Sequence, residues 1–214
     1  FRDIELPIIN ESYFIVYQRC CRNQALSNIN EPGRSGATYF IELTPAAQQT
    51  CNNSPRFEEF PPFIICVNEP FAYDLAAQDA DGHRLEYEFC TPFLGGGPDN
   101  TMPFAPTGIA PDPDNPPPFD SVSFIDPTFS TEQPLGSASN FRVDPNTGVI
   151  TGMPVISGQF VVGVCVREFD ENGQFLGEVR RDFQFLVTDC ERNIIVDIPS
   201  DSLDVNGAFV INSC

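Results

Sequence analysis

The chain has 214 residues, 41% of them hydrophobic and 12% aromatic, enough for the core of one large or two small domains. Thirty acidic residues against eleven basic ones leave a formal charge of -19, which repels phosphate backbones and acidic membrane surfaces and excludes nucleic acid as a partner. The basic residues are all Arg, so Schiff-base chemistry and Lys–Asn isopeptide cross-links within the chain are impossible. No apolar run approaches the ~20 residues of a membrane-crossing helix, so membrane insertion is not expected.

Residues 1–6 already read as a strand. They follow neither an initiator Met nor a signal segment, so the natural precursor is expected to carry a signal peptide and further structure upstream. Tyr13–Arg19 (YFIVYQR) and Ala37–Leu43 (ATYFIEL) are rich in aromatic and β-branched residues and are bounded by turn formers, the pattern of strands. With the turn-like Asn52-Asn53-Ser54-Pro55 they make residues 1–58 a separate strand-rich segment that looks incomplete alone. Residues 63–67, 71–77, 84–90, 159–169 and 181–188 continue the strand inventory. Asp81-Gly82, Asn146-Thr147-Gly148 and Glu171-Asn172-Gly173 each accept positive φ between two such runs and read as hairpin turns. No stretch holds a helical period for three turns, and 21 Pro and 15 Gly punctuate the chain.

The fold class that follows is all-β. Residues 59–190 are spaced as an antiparallel immunoglobulin-like or cadherin-like sandwich, stabilised by disulfides and preceded by the 1–58 segment. The sandwich is interrupted at 91–118, where nine Pro and four Gly in 28 residues remove too many amide donors for a central strand and imply a surface loop. Beyond it, 191–214 contains two short apolar runs, 193–198 (NIIVDI) and 207–211 (GAFVI), which need somewhere to pack.

Cys20, Cys21, Cys51, Cys66, Cys90, Cys165, Cys190 and Cys214 are an even set without a CxxC pair. Zinc clusters need close thiolates and His at defined intervals. Scattered even cysteines in an acidic, Pro-rich chain point to disulfides formed outside the cytosol, with buried free thiols the alternative for one or two. Their pairing is open on sequence grounds.

Tyr17-Gln18-Arg19-Cys20-Cys21-Arg22-Asn23, followed by Gly36-Ala37-Thr38-Tyr39 and Asn53-Ser54-Pro55, resembles a segment of large Bacteroidota surface proteins of the gliding-motility-associated, PKD-like type. Asp79-Ala80-Asp81-Gly82, the stretch at 143–152 (VDPNTGVITG) and that at 158–166 (GQFVVGVCV) resemble the rest of the pattern, so the likeness covers about residues 10 to 190. It implies export to the cell surface, in many relatives by type IX secretion, and a role in adhesion, motility or surface assembly. The chain departs from the pattern in lacking the strands that usually precede the QRCCRN stretch, and in carrying His83 where many relatives have Asp.

Four carboxylates are the sharpest candidate site. In an immunoglobulin-like sandwich the turns carrying Asp79 with Asp81, and Asp170 with Glu171, lie at one end. Oxygen ligands of this kind would suit Ca²⁺ as a cofactor. The competing reading is that these are ordinary turn residues bonding their own backbone, and His83 in place of a carboxylate weakens the calcium case. No catalytic residues are expected. His83 is the only imidazole and sits on a tight turn without a neighbouring Ser or Cys, and no Trp offers a sugar platform. Arg19, Arg22, Arg180 and Arg181 read as internal ion-pair partners rather than carboxylate receptors. Ser121 and Ser202, each between Asp and an apolar residue, match the O-glycosylation pattern of Bacteroidota.

The expected function is that of an extracellular structural protein rather than an enzyme. It would be a subunit of a surface fibre or filament whose partners are copies of itself, joined head to tail by strand donation. The alternative is an adhesive domain of a longer bacterial surface protein that recognises a glycan or a host surface through the 91–118 loop. A hydrolase would need a concave site with perturbed carboxylates that nothing in the sequence locates.

Overall fold

The computed structural model describes residues 5–19, 21–95 and 117–190. They form an all-β fold built from β1 (Tyr13–Arg19), β2 (Ala37–Leu43), β3 (Arg56–Phe57), β4 (Ile64–Cys66), β5 (Phe71–Asp74), β6 (Ala77–Gln78), β7 (Arg84–Phe89), β8 (Arg142–Val143), β9 (Val149–Gly152), β10 (Gly158–Phe169) and β11 (Phe175–Thr188). One six-residue helix, α1 (Pro45–Thr50), follows β2. Thr44 caps it by accepting the Ala47 N–H, and Pro45 in its first turn needs no donor. Glu5 and Leu6, at the end of the expected first strand, lie outside any strand.

The main sheet runs β1-β2-β11-β10-β7, with β4 also on β11. Its pairs are antiparallel except β4 with β11, which is parallel and sets Ile65 beside Val187. A second layer, β5-β9-β8, packs against it, and β3-β6 makes a small third sheet. β10 and β11 form the long central hairpin. Its turn is closed by Gly173, at φ 79°, donating to the Asp170 carbonyl. Gly148, at φ 74°, does the same between β8 and β9. The Asp81-Gly82 turn is different. It joins β6 to β7, which belong to different sheets, so it is a crossover rather than a hairpin.

The core lies between the two layers. Phe160, Val162 and Val164 of β10 and Phe183, Phe185 and Val187 of β11 alternate along their strands to face it, and Leu75, Phe141 and Ile150 close it from the other side. Phe71, Phe89 and Phe141 stack within it, with Phe141 5.7 Å and 5.9 Å from the other two.

Residues 1–58 were expected to stand apart as a segment, yet β1 and β2 extend the main sheet beyond β11. The loop after β1 crosses the other face of β10. There Leu26, Ile29 and Val122 bury Val161 in a second, smaller cluster. β7 pairs β10 only over 164–169, which leaves the first half of that edge open. Asn28 fills the gap with its side chain. Fully buried, it accepts the Val161 N–H at 3.0 Å and donates to the Val161 carbonyl at 2.8 Å, as a neighbouring strand would.

Cys66–Cys190 fastens β4 to the residues after β11, and Cys90–Cys165 fastens the end of β7 to β10. At that second crossing a side chain on Gly163 would collide with the Cys90 carbonyl, so the strand end can approach only over a glycine. Cys21 is also disulfide-bonded. Cys51 departs from the expected set. It caps the C-terminus of α1 in the left-handed region and is a free, exposed thiol. Cys20 and Cys214 lie outside the described residues, as do Ser202, the 193–198 and 207–211 runs and residues 96–116 of the Pro-rich insertion. The insertion's base is pinned, for Phe93 bridges to Thr38 on one side and Ser121 on the other.

Candidate functional site

Two regions collect chemistry. The first is the end of the sandwich where the Asp81-Gly82 and β10–β11 turns meet, enclosing a hollow of about 740 Å³ lined in part by Thr50, Asp81, His83, Asp170 and Glu171. Three of the four expected calcium ligands line it, but most of their oxygens are already engaged. Asp81 accepts from the Asn53 N–H at 2.7 Å and from the Asn53 amide, which holds its pKa below the usual carboxylate value. Asp170 accepts from the backbone N–H groups of Gln174 at 2.7 Å and Asn172 at 2.9 Å, again lowering its pKa. Glu171 is exposed on the turn.

Asp79 faces a different set. One Asp79 oxygen accepts from the N–H groups of Asp81 and His83, at 3.0 Å and 2.9 Å, while the other is buried without a partner. His83 Nδ1 lies 2.7 Å from Glu168 Oε1 and 3.7 Å from Asp79 Oδ1. Glu168 is completely buried, with its second oxygen held by the Asn52 Nδ2 at 2.8 Å. Burial pushes the Glu168 pKa up, with the Asp79 charge adding to it. Burial pulls His83 down, but the hydrogen bond and charge of Glu168, with Asp79, outweigh it and raise its pKa above the ordinary value. Turn spacing singled out Asp79, while His83 counts on sequence grounds against a metal there. Glu168 was missed because it sits 85 residues from His83, inside a strand with no local signal.

The second region is an apolar groove of about 800 Å³ beside the edge of the main sheet. Ile15 pairs with Ile41, which pairs with Val179, and Tyr17 pairs with Tyr39, so three strands present one continuous row of side chains. This row continues the face that, further along β11, carries Phe183 and Phe185 into the core. Phe57 and Phe60 flank it, and Arg181 lies over their rings at 4.8 Å and 4.6 Å. Phe60 is 71% exposed, Tyr17 63% and Ile15 55%, and β1 is the edge strand of its sheet.

The arginines divide. Arg22 forms a buried ion pair with Asp182, and Arg180 pairs with Glu178, as read from sequence, while Arg181 rests on aromatic rings. Ser121 is exposed and takes part in the Phe93 bridge. Among the described residues no helix is long and apolar enough to cross a membrane. No family model, curated protein or solved structure matches the chain.

Proposed function

We propose that the protein is an extracellular structural subunit that assembles with copies of itself by strand addition at β1. The observation that carries this reading is the pairing of a seven-residue edge strand with a stretch of core-type sheet face that lines an open groove among the described residues. Edge strands with exposed apolar side chains are ordinarily blunted by charge, Pro or a bulge. Here Tyr13–Arg19 carries one charged residue, at its end, and pairs with β2 in unbroken register. An incoming strand would gain main-chain hydrogen bonds along β1 while alternate side chains fill the groove.

The occupant we assign is the 193–198 run of a second copy. Its Ile194, Val196 and Ile198 fall on one face of an extended strand, and added at β1 they would lie beside Ile15 and Tyr17 on the groove side of that strand. A contact of this kind joins unlike surfaces, and when it does not close it makes a filament. The disulfides at Cys66–Cys190 and Cys90–Cys165 support an oxidising compartment.

Negative-stain electron microscopy and light scattering of the unreduced protein test the assignment. Filaments with a constant axial repeat are expected, and Val16→Pro or deletion of 193–198 should leave monomers. A monodisperse monomer at every concentration would overturn it, as would filaments that survive both changes.

A further inference from the structure

Beyond assembly, the Asp79, His83 and Glu168 cluster has the composition of a metal site. Among the described residues it is the group of three such side chains whose ligand atoms lie within 4.8 Å of one another. We propose that it binds a divalent transition-metal cation, with Zn²⁺ the best fit.

Charge is the first argument. Glu168 has no side-chain exposure and Asp79 has 3%, so two carboxylates share a nearly dry site. Their ion-pair partner among the described residues is His83 alone, and no Arg reaches either. A neutral imidazole leaves the cluster at a charge of about -2 and an imidazolium at about -1, both costly away from water. A divalent cation balances two carboxylates and a neutral imidazole.

The second argument is an oxygen with nothing to bond. The Asp79 carboxylate is oriented by two backbone N–H groups on Oδ1, which leaves Oδ2 buried and unpartnered. Buried carboxylate oxygens are rarely left so, and a bound ion supplies the missing partner. Asn52 holds the far oxygen of Glu168 and so fixes the direction of the near one, the role that outer hydrogen bonds play around metals.

Donor type and spacing select the ion. One imidazole and two carboxylates suit zinc, whereas calcium takes six to eight oxygens. Zinc bonds of about 2.1 Å set tetrahedral ligands about 3.4 Å apart. His83 Nδ1 lies 2.7 Å from Glu168 Oε1, and one ligand atom from each of the three side chains falls within 4.8 Å of the others, so the ion would take the place of the His83–Glu168 hydrogen bond. His83 borders the hollow between the two turns, which gives an entry path and room for a water as fourth ligand.

The test is a Zn²⁺ titration of the full, disulfide-intact chain after chelation, against a chromophoric competitor. The Cys51→Ser background keeps the free thiol from binding zinc. One equivalent per chain is expected at micromolar affinity or tighter. His83→Ala should weaken it at least about 100-fold and Asn52→Ala about 10- to 100-fold. Asp79→Asn provides a second ligand variant if Glu168→Gln does not fold, and chemical shifts of the His83 ring should move with zinc. Absence of binding, binding that His83→Ala leaves unchanged, or Ca²⁺ binding without Zn²⁺ binding would each overturn the proposal.

Discussion

Arg22 and Asp182 meet at 2.7 Å with side-chain exposures of 1% and 4%, tying the loop after β1 to the middle of β11. The same guanidinium donates to the Phe93 carbonyl at 2.9 Å, so one side chain joins the QRCCRN stretch, the central strand and the base of the Pro-rich insertion. Breaking a buried pair strands the remaining charge. Asp182→Ala should therefore destabilise the fold by about 3–5 kcal/mol in urea unfolding, more than the Arg22→Met, Asp182→Leu double variant, which leaves no charge unpaired.

Asn28 should be nearly as sensitive. It completes the edge of β10 with three hydrogen bonds, to Val161 twice and to the Pro134 carbonyl at 2.9 Å. Asn28→Ala leaves a buried donor and two carbonyls without partners, and a loss of about 2–4 kcal/mol is expected. Asn28→Asp should be worse, since it turns a donor into a charge facing two carbonyls. Equal, small effects of both in thermal melts would show that the side chain does not stand in for a strand.

The Cys66–Cys190 and Cys90–Cys165 disulfides span 124 and 75 residues, and removing either should cost about 2–5 kcal/mol. Peptide mapping without reduction should recover Cys66 with Cys190 and Cys90 with Cys165, and alkylation of the native protein should label Cys51. A Cys51-containing cross-link would contradict the fold at the end of α1.

Alkaline stability should depend on Tyr39. Burial, reinforced by the Asp182 charge, pushes its hydroxyl pKa up to about 12 from an ordinary 10.0, with Arg22 opposing. A raised folded-state pKa means the contribution is intact below pH 10 and is lost as the pH climbs through about 12. Unfolding free energy should fall across that window, and Tyr39→Phe should flatten the fall. An unchanged slope in the variant would remove Tyr39 as the cause.

Much of the strand inventory was legible because period-two apolar runs and Gly-containing turns are local signals. Tyr13–Arg19 and Ala37–Leu43 match their strands residue for residue, and the Asn146-Thr147-Gly148 and Glu171-Asn172-Gly173 turns close hairpins as their sequences imply. The two-residue strands β3, β6 and β8 were not, since so short a run has no period to detect. The site was half legible. Asp79 stands out on its turn and His83 reads there as a departure that weakens a metal site, but Glu168 lies in an apolar strand where one acid reads as a solvent-facing residue, and only its packing against Asn52 and His83 buries it.

The sequence by itself determined the all-β class and the use of scattered cysteines in disulfides, because these follow from residue type and near-neighbour pattern. Only the tertiary structure decided that β1 and β2 join the main sheet, that Cys51 stays unpaired, and that Glu168 meets His83 across 85 residues. Sheet order and side-chain burial are set by contacts between distant segments, whose pairing is chosen by the fit of the whole core rather than by any local preference.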